Sequence, residues 1–400
     1  MKYSVIGLVA VVLFLGTVGV RDAEAVKLGP LVATPYIDAT ANYDDNVFVQ
    51  NKGSEQDDWY FLITPGALLK LRQRDNTFEL EYTAYIYRYV DTHAVNDVED
   101  QSVRALAHFD FPGGASLHFD DLFSKSHEPR SSANLAVTGL ASLSRYYSNN
   151  LTAEASYELS DRFKTSLTYN YLLYNYKLAV NDFRDRDVNS GALTVFYKFL
   201  PKTSVLLEGL YKNIYHNDDK SPVAATLNSD EYWAMTGLTW DITEKSTGSV
   251  KAGYEWKKFR SPGRKDFGGG VYQVSIAHQF TPKTSVGLSG TRQANETDDP
   301  AVAYSTTTNG YVECRYKPMT KVEIKPYASY SYDRYSDAST VNGVTARRLD
   351  RTWTGGLKAT YNMQKWLAFS AGYTHSKRAS NMSFYDFTDN LTMFEINVSM

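Results

Sequence analysis

The chain has 400 residues and a formal net charge of −3, which excludes the basic footprint of a nucleic-acid binder. Its single cysteine excludes an internal disulfide, and no composition break or linker divides it into separate domains. Tyrosine is the outlier, with 31 residues beside 19 Phe and 6 Trp, and mean hydropathy is only −0.40 although many segments place apolar side chains on one face.

The first segment reads as a secretory signal. Lys2 is its charged start, Ser4 to Val20 its apolar core, and Ala23-Glu24-Ala25 an A-x-A cleavage site before Val26. Signal 1–25 is therefore expected to leave a mature domain over 26–400. No cysteine follows the site, which argues against a lipoprotein. No other stretch is continuously apolar for a helix span. Lipid offers no hydrogen bonds, so a membrane form of this chain must be a closed barrel.

Strands with alternating sidedness then follow. The first lies near 33–43, before a polar loop at 44–57. Strands near 58–70 and 77–90 flank the turn Arg72-Gln73-Arg74-Asp75-Asn76, and those near 101–111 and 115–123 flank Pro112-Gly113-Gly114. A long insertion, 124–145, comes next. Pairs continue near 146–159 with 163–177, 187–199 with 203–215, 229–242 with 247–260, and 270–280 with 284–294. The last are 305–317 with 321–334, 349–361 with 366–378, and a final strand near 386–399. Short turns alternate with Asp/Asn/Ser-rich loops such as 216–229, 296–304 and 335–348, and Gly268-Gly269-Gly270 reads as a turn. The count is roughly eighteen strands, each about 10–13 residues long, as a tilted strand needs to cross a bilayer.

The unit repeats. Pro201-Lys202-Thr203-Ser204-Val205 recurs as Pro282-Lys283-Thr284-Ser285-Val286, with echoes at Asp161-Arg162-Phe163-Lys164-Thr165-Ser166 and Pro318-Met319-Thr320-Lys321-Val322. A spacing of about 40 residues marks an array of one supersecondary unit. Phase agrees: Phe78, Leu80, Tyr82, Ala84 and Ile86 oppose Glu79, Glu81 and Thr83, because side chains alternate along a strand. Aromatic residues gather near strand ends, where interfacial girdles form: Tyr87, Tyr89, Tyr146, Tyr147, Tyr174, Tyr176, Tyr215, Tyr232, Trp233, Trp240, Trp256, Trp353 and Trp366. The expected fold is all-β, a transmembrane antiparallel barrel with short periplasmic turns and longer extracellular loops. The runner-up, a soluble sandwich, suits the long strands poorly.

One run of motifs is more specific. Tyr43-Asp44-Asp45-Asn46-Val47-Phe48, then Asp57-Asp58, Thr64-Pro65-Gly66, Tyr82 and Tyr87-Arg88-Tyr89 occur in order within residues 30–125. This region resembles the putative beta-barrel porin type 2 family of Gram-negative outer membranes. The resemblance implies an outer-membrane barrel, often encoded near capsule or exopolysaccharide export genes. Phe394, Ile396, Val398 and Met400 resemble the C-terminal strand read by the outer-membrane insertion machinery, although the terminal residue is not the usual aromatic. Expected partners are outer-membrane lipid and lipopolysaccharide, that machinery, and polysaccharide export components.

Charge on the lipid side is expensive, so phase sketches a lumen. Glu79, Glu81, Lys164, Lys198, Glu208, Lys212, Lys251, Glu255, Lys257, Glu313, Arg315, Lys317, Glu323, Lys325, Lys358 and Glu395 are expected to face inward. Their mixed signs imply either a weakly selective pore or ion pairs that narrow it. Tyr85, Tyr87, Tyr174, Tyr311 and Tyr327 are inward candidates for glycan contact. Loop 124–145 is either a constriction or a lid. It carries Lys125, His127, Glu128 and Arg130, then the weakly apolar Leu135 to Leu143. The acidic Asp44, Asp45, Asn46, Asp57 and Asp58 lack the spacing of a calcium loop and read as an ordinary turn. Cys314 reads as a small lipid-facing residue. His118 and Asp120 share a face beside Asp121, the one constellation in which catalysis could be sought, but no second pair accompanies them. The chain is read as a channel for solutes or polysaccharide, with no enzyme activity, cofactor or metal. The alternative is a non-conducting barrel that docks a surface or export assembly.

Overall fold

The computed structural model describes residues 26–130, 143–217, 221–243, 245–297 and 299–399. The signal 1–25, with Ala23 and Ala25, lies outside the described residues. So do residues 131–142, most of the proposed constriction loop, and the terminal Met400.

A backbone in lipid must bond to itself, and the alternating runs do so as one antiparallel sheet. A short strand, β1 (Val26–Leu28), pairs with the start of β2 (Leu31–Asp44). The other strands follow chain order. They are β3 (Asp58–Gln73), β4 (Asn76–Tyr89), β5 (Val98–Phe111), β6 (Ala115–His127), β7 (Arg145–Glu158) and β8 (Phe163–Tyr176). Next come β9 (Arg186–Leu200), β10 (Thr203–His216), β11 (Ser229–Thr243), β12 (Ser246–Phe259), β13 (Phe267–Thr281) and β14 (Thr284–Asn295). The ring ends with β15 (Ser305–Met319), β16 (Val322–Val341), β17 (Val344–Asn362), β18 (Leu367–Ser380) and β19 (Phe387–Ser399). Each strand pairs with the next, and β19 returns to β2 from Leu391↔Asp44 to Ser399↔Tyr36. Strands β2 to β19 thus form a closed ring of eighteen.

Tight connections such as Pro201-Lys202 and Pro282-Lys283 lie at one end of the ring, and the polar loops lie at the other. Short turns mark the periplasmic end of such a barrel, long loops the extracellular end. Register partners share a face. One face carries exposed Leu80, Leu167, Leu207, Leu357 and Phe394, as lipid contact requires; the other carries Glu79, Glu81, Lys164 and Glu208. The outer face also carries Tyr147, Tyr215, Tyr232, Trp240, Trp256 and Trp353. Tyr87, Tyr89, Tyr146, Tyr174, Tyr176 and Trp233 turn inward instead, and Trp366 sits in a turn, so strand-end aromatics divide between girdle and lumen.

Three segments depart from the expectations above. Residues 335–348 are not a loop: β16 and β17 continue as a hairpin past the barrel to Asn342-Gly343, both at positive φ. That dipeptide suits a two-residue primed turn, the strongest short-range hairpin signal. Gly268-Gly269-Gly270 is not a turn but part of β13, and β6 runs to His127.

Glycines also let side chains brace the wall. Tyr36 on β2 crosses Gly66 of β3 and reaches the Thr83 hydroxyl (2.6 Å) and Glu81 (3.0 Å) on β4. Tyr327 on β16 crosses Gly356 of β17 and meets the Thr374 hydroxyl at 2.6 Å. A Cβ at Gly66 would stand 2.3 Å from Tyr36, and one at Gly356 2.6 Å from Tyr327. Gly66→Ala and Gly356→Ala are each expected to destabilise the barrel by about 1–3 kcal/mol through overpacking. Equilibrium urea unfolding of protein reconstituted in vesicles measures this.

Candidate functional site

Alternation and closure together build the inner wall. All sixteen charged residues expected to face inward fall on the inner phase. Most are held by neighbours on adjacent strands. Glu79 pairs with Lys70, and Glu81 accepts the Tyr36 hydroxyl. Lys164 lies opposite Glu158, and Lys198 lies opposite Ser204. Lys251 donates to both oxygens of Glu208 at 3.1 Å. Glu313 accepts the Tyr311 hydroxyl at 2.9 Å.

Toward the turn end, β15 to β19 carry a cationic patch. Arg315, Lys317 and Lys325 converge on the single carboxylate of Glu323 at 3.5, 3.4 and 3.7 Å, and Lys358 meets Glu395 at 2.8 Å. The side chains of Arg315 and Lys317 are about half exposed, at 47% and 50%. They face open space on the inner side.

The loop end behaves differently. Lys257 and Glu255 have no exposed surface, and Glu231 has 1%. Lys257 binds Glu231 (2.8 Å) and Glu296, and Lys212 takes the other oxygen of Glu231 at 2.7 Å. Glu255 faces Gly269 on β13 and reaches past it to the Ala294 amide on β14 at 3.1 Å. Glu255 and Lys257 therefore do not line open lumen: Lys257 ties Glu296 to the wall, and Glu255 ties the end of β14 to it. Alternation alone gives their face but not the contacts that bury them. Arg264 extends this tie, donating to the Thr226 hydroxyl (2.8 Å) and the Pro300 carbonyl (2.6 Å); burial pushes its guanidinium below the ordinary value.

The five inward tyrosines fall into separate places. Tyr85 and Tyr87 are neighbours on one face of β4. Tyr311 and Tyr327 sit 6.2 Å apart between ring centres on β15 and β16, though Tyr327 also braces the wall. Tyr174 packs with Tyr146 and beneath the Arg186 guanidinium at 4.5 Å.

The remaining candidates dissolve into local bonding. Asp58 takes the Thr92 amide (2.9 Å) and hydroxyl (2.6 Å), and Asp57 takes the Tyr43 hydroxyl at 3.1 Å. Asp44 and Asp45 instead meet Asp389 across the closing seam, with Asp45 accepting two bonds from Asn390. Asp389 comes from the far end of the chain, which no local spacing could reveal. Asp120 is gripped by Arg104 at 2.8 and 2.5 Å rather than by His118. Asp121 points outward from mid-β6, where it accepts the Asn149 amide at 2.7 Å on the lipid face. Cys314 lies on the outer phase and is partly exposed.

A family description, Putative beta-barrel porin 2, matches residues 21–400. No curated protein matches the chain. Among solved structures, the chain is similar to the outer membrane protein OpdK of Pseudomonas aeruginosa, at 10% identity and a TM-score of 0.45, over 92% of this chain and 99% of that one. OpdL of the same organism aligns at 10% identity and 0.45, over 93% and 99%. OccAB4 of Acinetobacter baumannii aligns at 9% and 0.46, over 95% and 100%.

The two kinds of inner charge should respond differently to mutation. Lys257→Met strips a fully buried carboxylate of a partner and is expected to cost about 3–5 kcal/mol. Lys317→Met removes a half-exposed, shared contact and is expected to cost under about 1 kcal/mol. Thermal unfolding of the two variants in the same detergent reads the contrast.

Proposed function

Because the chain belongs to the Putative beta-barrel porin 2 family, a family of outer-membrane barrels rather than enzymes, we propose that it is a passive channel whose cargo is polysaccharide or its fragments. The observation that carries the channel reading is the cationic patch of Arg315, Lys317 and Lys325 on the inner face, the first two of them half exposed. Charges left in water inside a ring imply a hydrated path, and their sharing of Glu323 leaves a local cationic excess. Ionic selectivity follows the sign of such a lining. The tyrosines support the sugar reading. Tyr85 with Tyr87 and Tyr311 with Tyr327 offer paired aromatic surfaces beside carboxylates, a surface suited to sugar rings.

The apolar wall meets outer-membrane lipid and lipopolysaccharide, and the last strand is the one offered to the insertion machinery. Export components for polysaccharide are the partners this cargo calls for. The connection between β6 and β7 is proposed as the gate, as either a constriction or a lid. A second reading, a non-conducting docking barrel, draws on the β16–β17 hairpin, which rises past the ring and offers a surface to another component.

Purified protein in planar bilayers is expected to give ohmic steps. Exchanging Arg315, Lys317 and Lys325 for Gln should move the zero-current potential in a KCl gradient toward cation preference. An absence of current at every voltage, in the intact chain and with the connection between β6 and β7 shortened, would leave the docking reading.

A further inference from the structure

The inner wall holds a recess where β4, β5 and β6 run side by side toward the loop end. Its volume is about 290 Å³, and Tyr85, Tyr87, Asp100, Ser102, Ser124 and Ser126 line it from the inner phase. We propose that this recess is a binding subsite for one unit of an uncharged sugar. The proposal rests on the polysaccharide reading above and gives that cargo a place to dwell.

Register arranges the groups in rows. Tyr85 lies opposite Asp100, and Ser102 lies opposite Ser124. Ser126 donates to Asp100 Oδ2 at 3.5 Å, and His127 Nδ1 stands 2.6 Å from the same oxygen. The His127 ring meets Tyr87 edge-on at 5.3 Å, so one imidazole fixes both the carboxylate and the neighbouring phenol ring. The recess therefore has two rings side by side on one strand, a fixed carboxylate and three hydroxyls.

That set matches the chemistry of a pyranose. Its C–H face is apolar and packs on an aromatic ring, while its hydroxyls seek strong acceptors and small hydroxyl partners. Charge sets the class further. Asp100 is the ionisable inner-phase side chain of the recess, and Lys125 has the opposite phase. Arg104, the nearest inner cation along β5, is occupied by Asp120. Among the described residues that line the recess, an anionic sugar would meet a carboxylate and no inner-phase cation, which favours a neutral one. The size fits as well. Small-molecule sites start near about 300 Å³, so the recess takes one ring rather than a length of polymer. Above it, Tyr87 continues to Tyr60 at 6.4 Å and Tyr60 to Tyr89 at 4.8 Å, an aromatic path toward the loop end.

Saturation-transfer NMR on the intact protein in detergent micelles tests this without requiring conduction. The probes are maltohexaose, cellohexaose and isomaltohexaose, against oligogalacturonate and a polyethylene glycol of similar mass. At least one neutral hexaose should bind, and more tightly than either control. Tyr87→Ala and Asp100→Asn should each weaken it roughly tenfold or more, Tyr87→Phe should retain binding, and Tyr311→Ala should leave it unchanged. Heat-modifiable gel migration confirms that each variant is folded. The subsite is overturned if no neutral hexaose binds, if oligogalacturonate binds better, or if both Tyr87→Ala and Asp100→Asn bind like the parent. Binding without bilayer current would sink the channel reading alone; current without binding would sink the subsite alone.

Discussion

Every other feature of this molecule depends on the seam between its first long strand and its last. Lipid cannot hydrogen-bond a free strand edge, so the sheet is stable in a bilayer only as a ring. The pairing of β19 with β2 removes both edges at once and fixes which side of every other strand is inside. Side-chain pairs back it up. Asn397 donates to Asp38, and Asn390 donates to Asp45, each joining residues from opposite ends of the chain. The long polar turns, the charges and the inward tyrosines acquire a meaning only once that seam is made.

The ring then imposes two regimes on its inner charges. Toward the turn end they stay in water and contribute little to stability individually, so they remain free to act on whatever passes. Toward the loop end, Lys257, Glu231 and Glu255 are buried, and through Glu296 and Ala294 the same residue types become fasteners. Polar groups withdrawn from water need partners: Lys257 finds Glu231 and Glu296, and Glu255 finds the Ala294 amide. The difference is set not by residue identity or phase but by what lies above the wall.

Much of this was legible in the chain. Period-two alternation along Phe78 to Ile86 gave strand, face and length together, because one face had to be oily and the other could not be. The repeated Pro-Lys-Thr-Ser turns located the tight end of the barrel. What stayed hidden was long-range or depended on cover. Asp389 joins Asp44 and Asp45 only after closure. Alternation says that Glu255 faces inward, but not that Ala294 will sit on it. The hairpin through Asn342-Gly343 was missed because its Asp- and Ser-rich flanks look like loop, although the dipeptide itself signals a primed turn. The glycine run at 268–270 was misread for the complementary reason. Glycine often punctuates, but here it makes room for a long side chain to pass.

That hairpin gives the protein an unusual outline on the side of the long loops. Its tip is capped by two residues and ordered by its own ladder, from Ala338↔Arg347 to Val341↔Val344. A stiff finger loses less entropy than a slack loop when something grasps it. The ladder that extends beyond β15 and β18 is thus already shaped for capture.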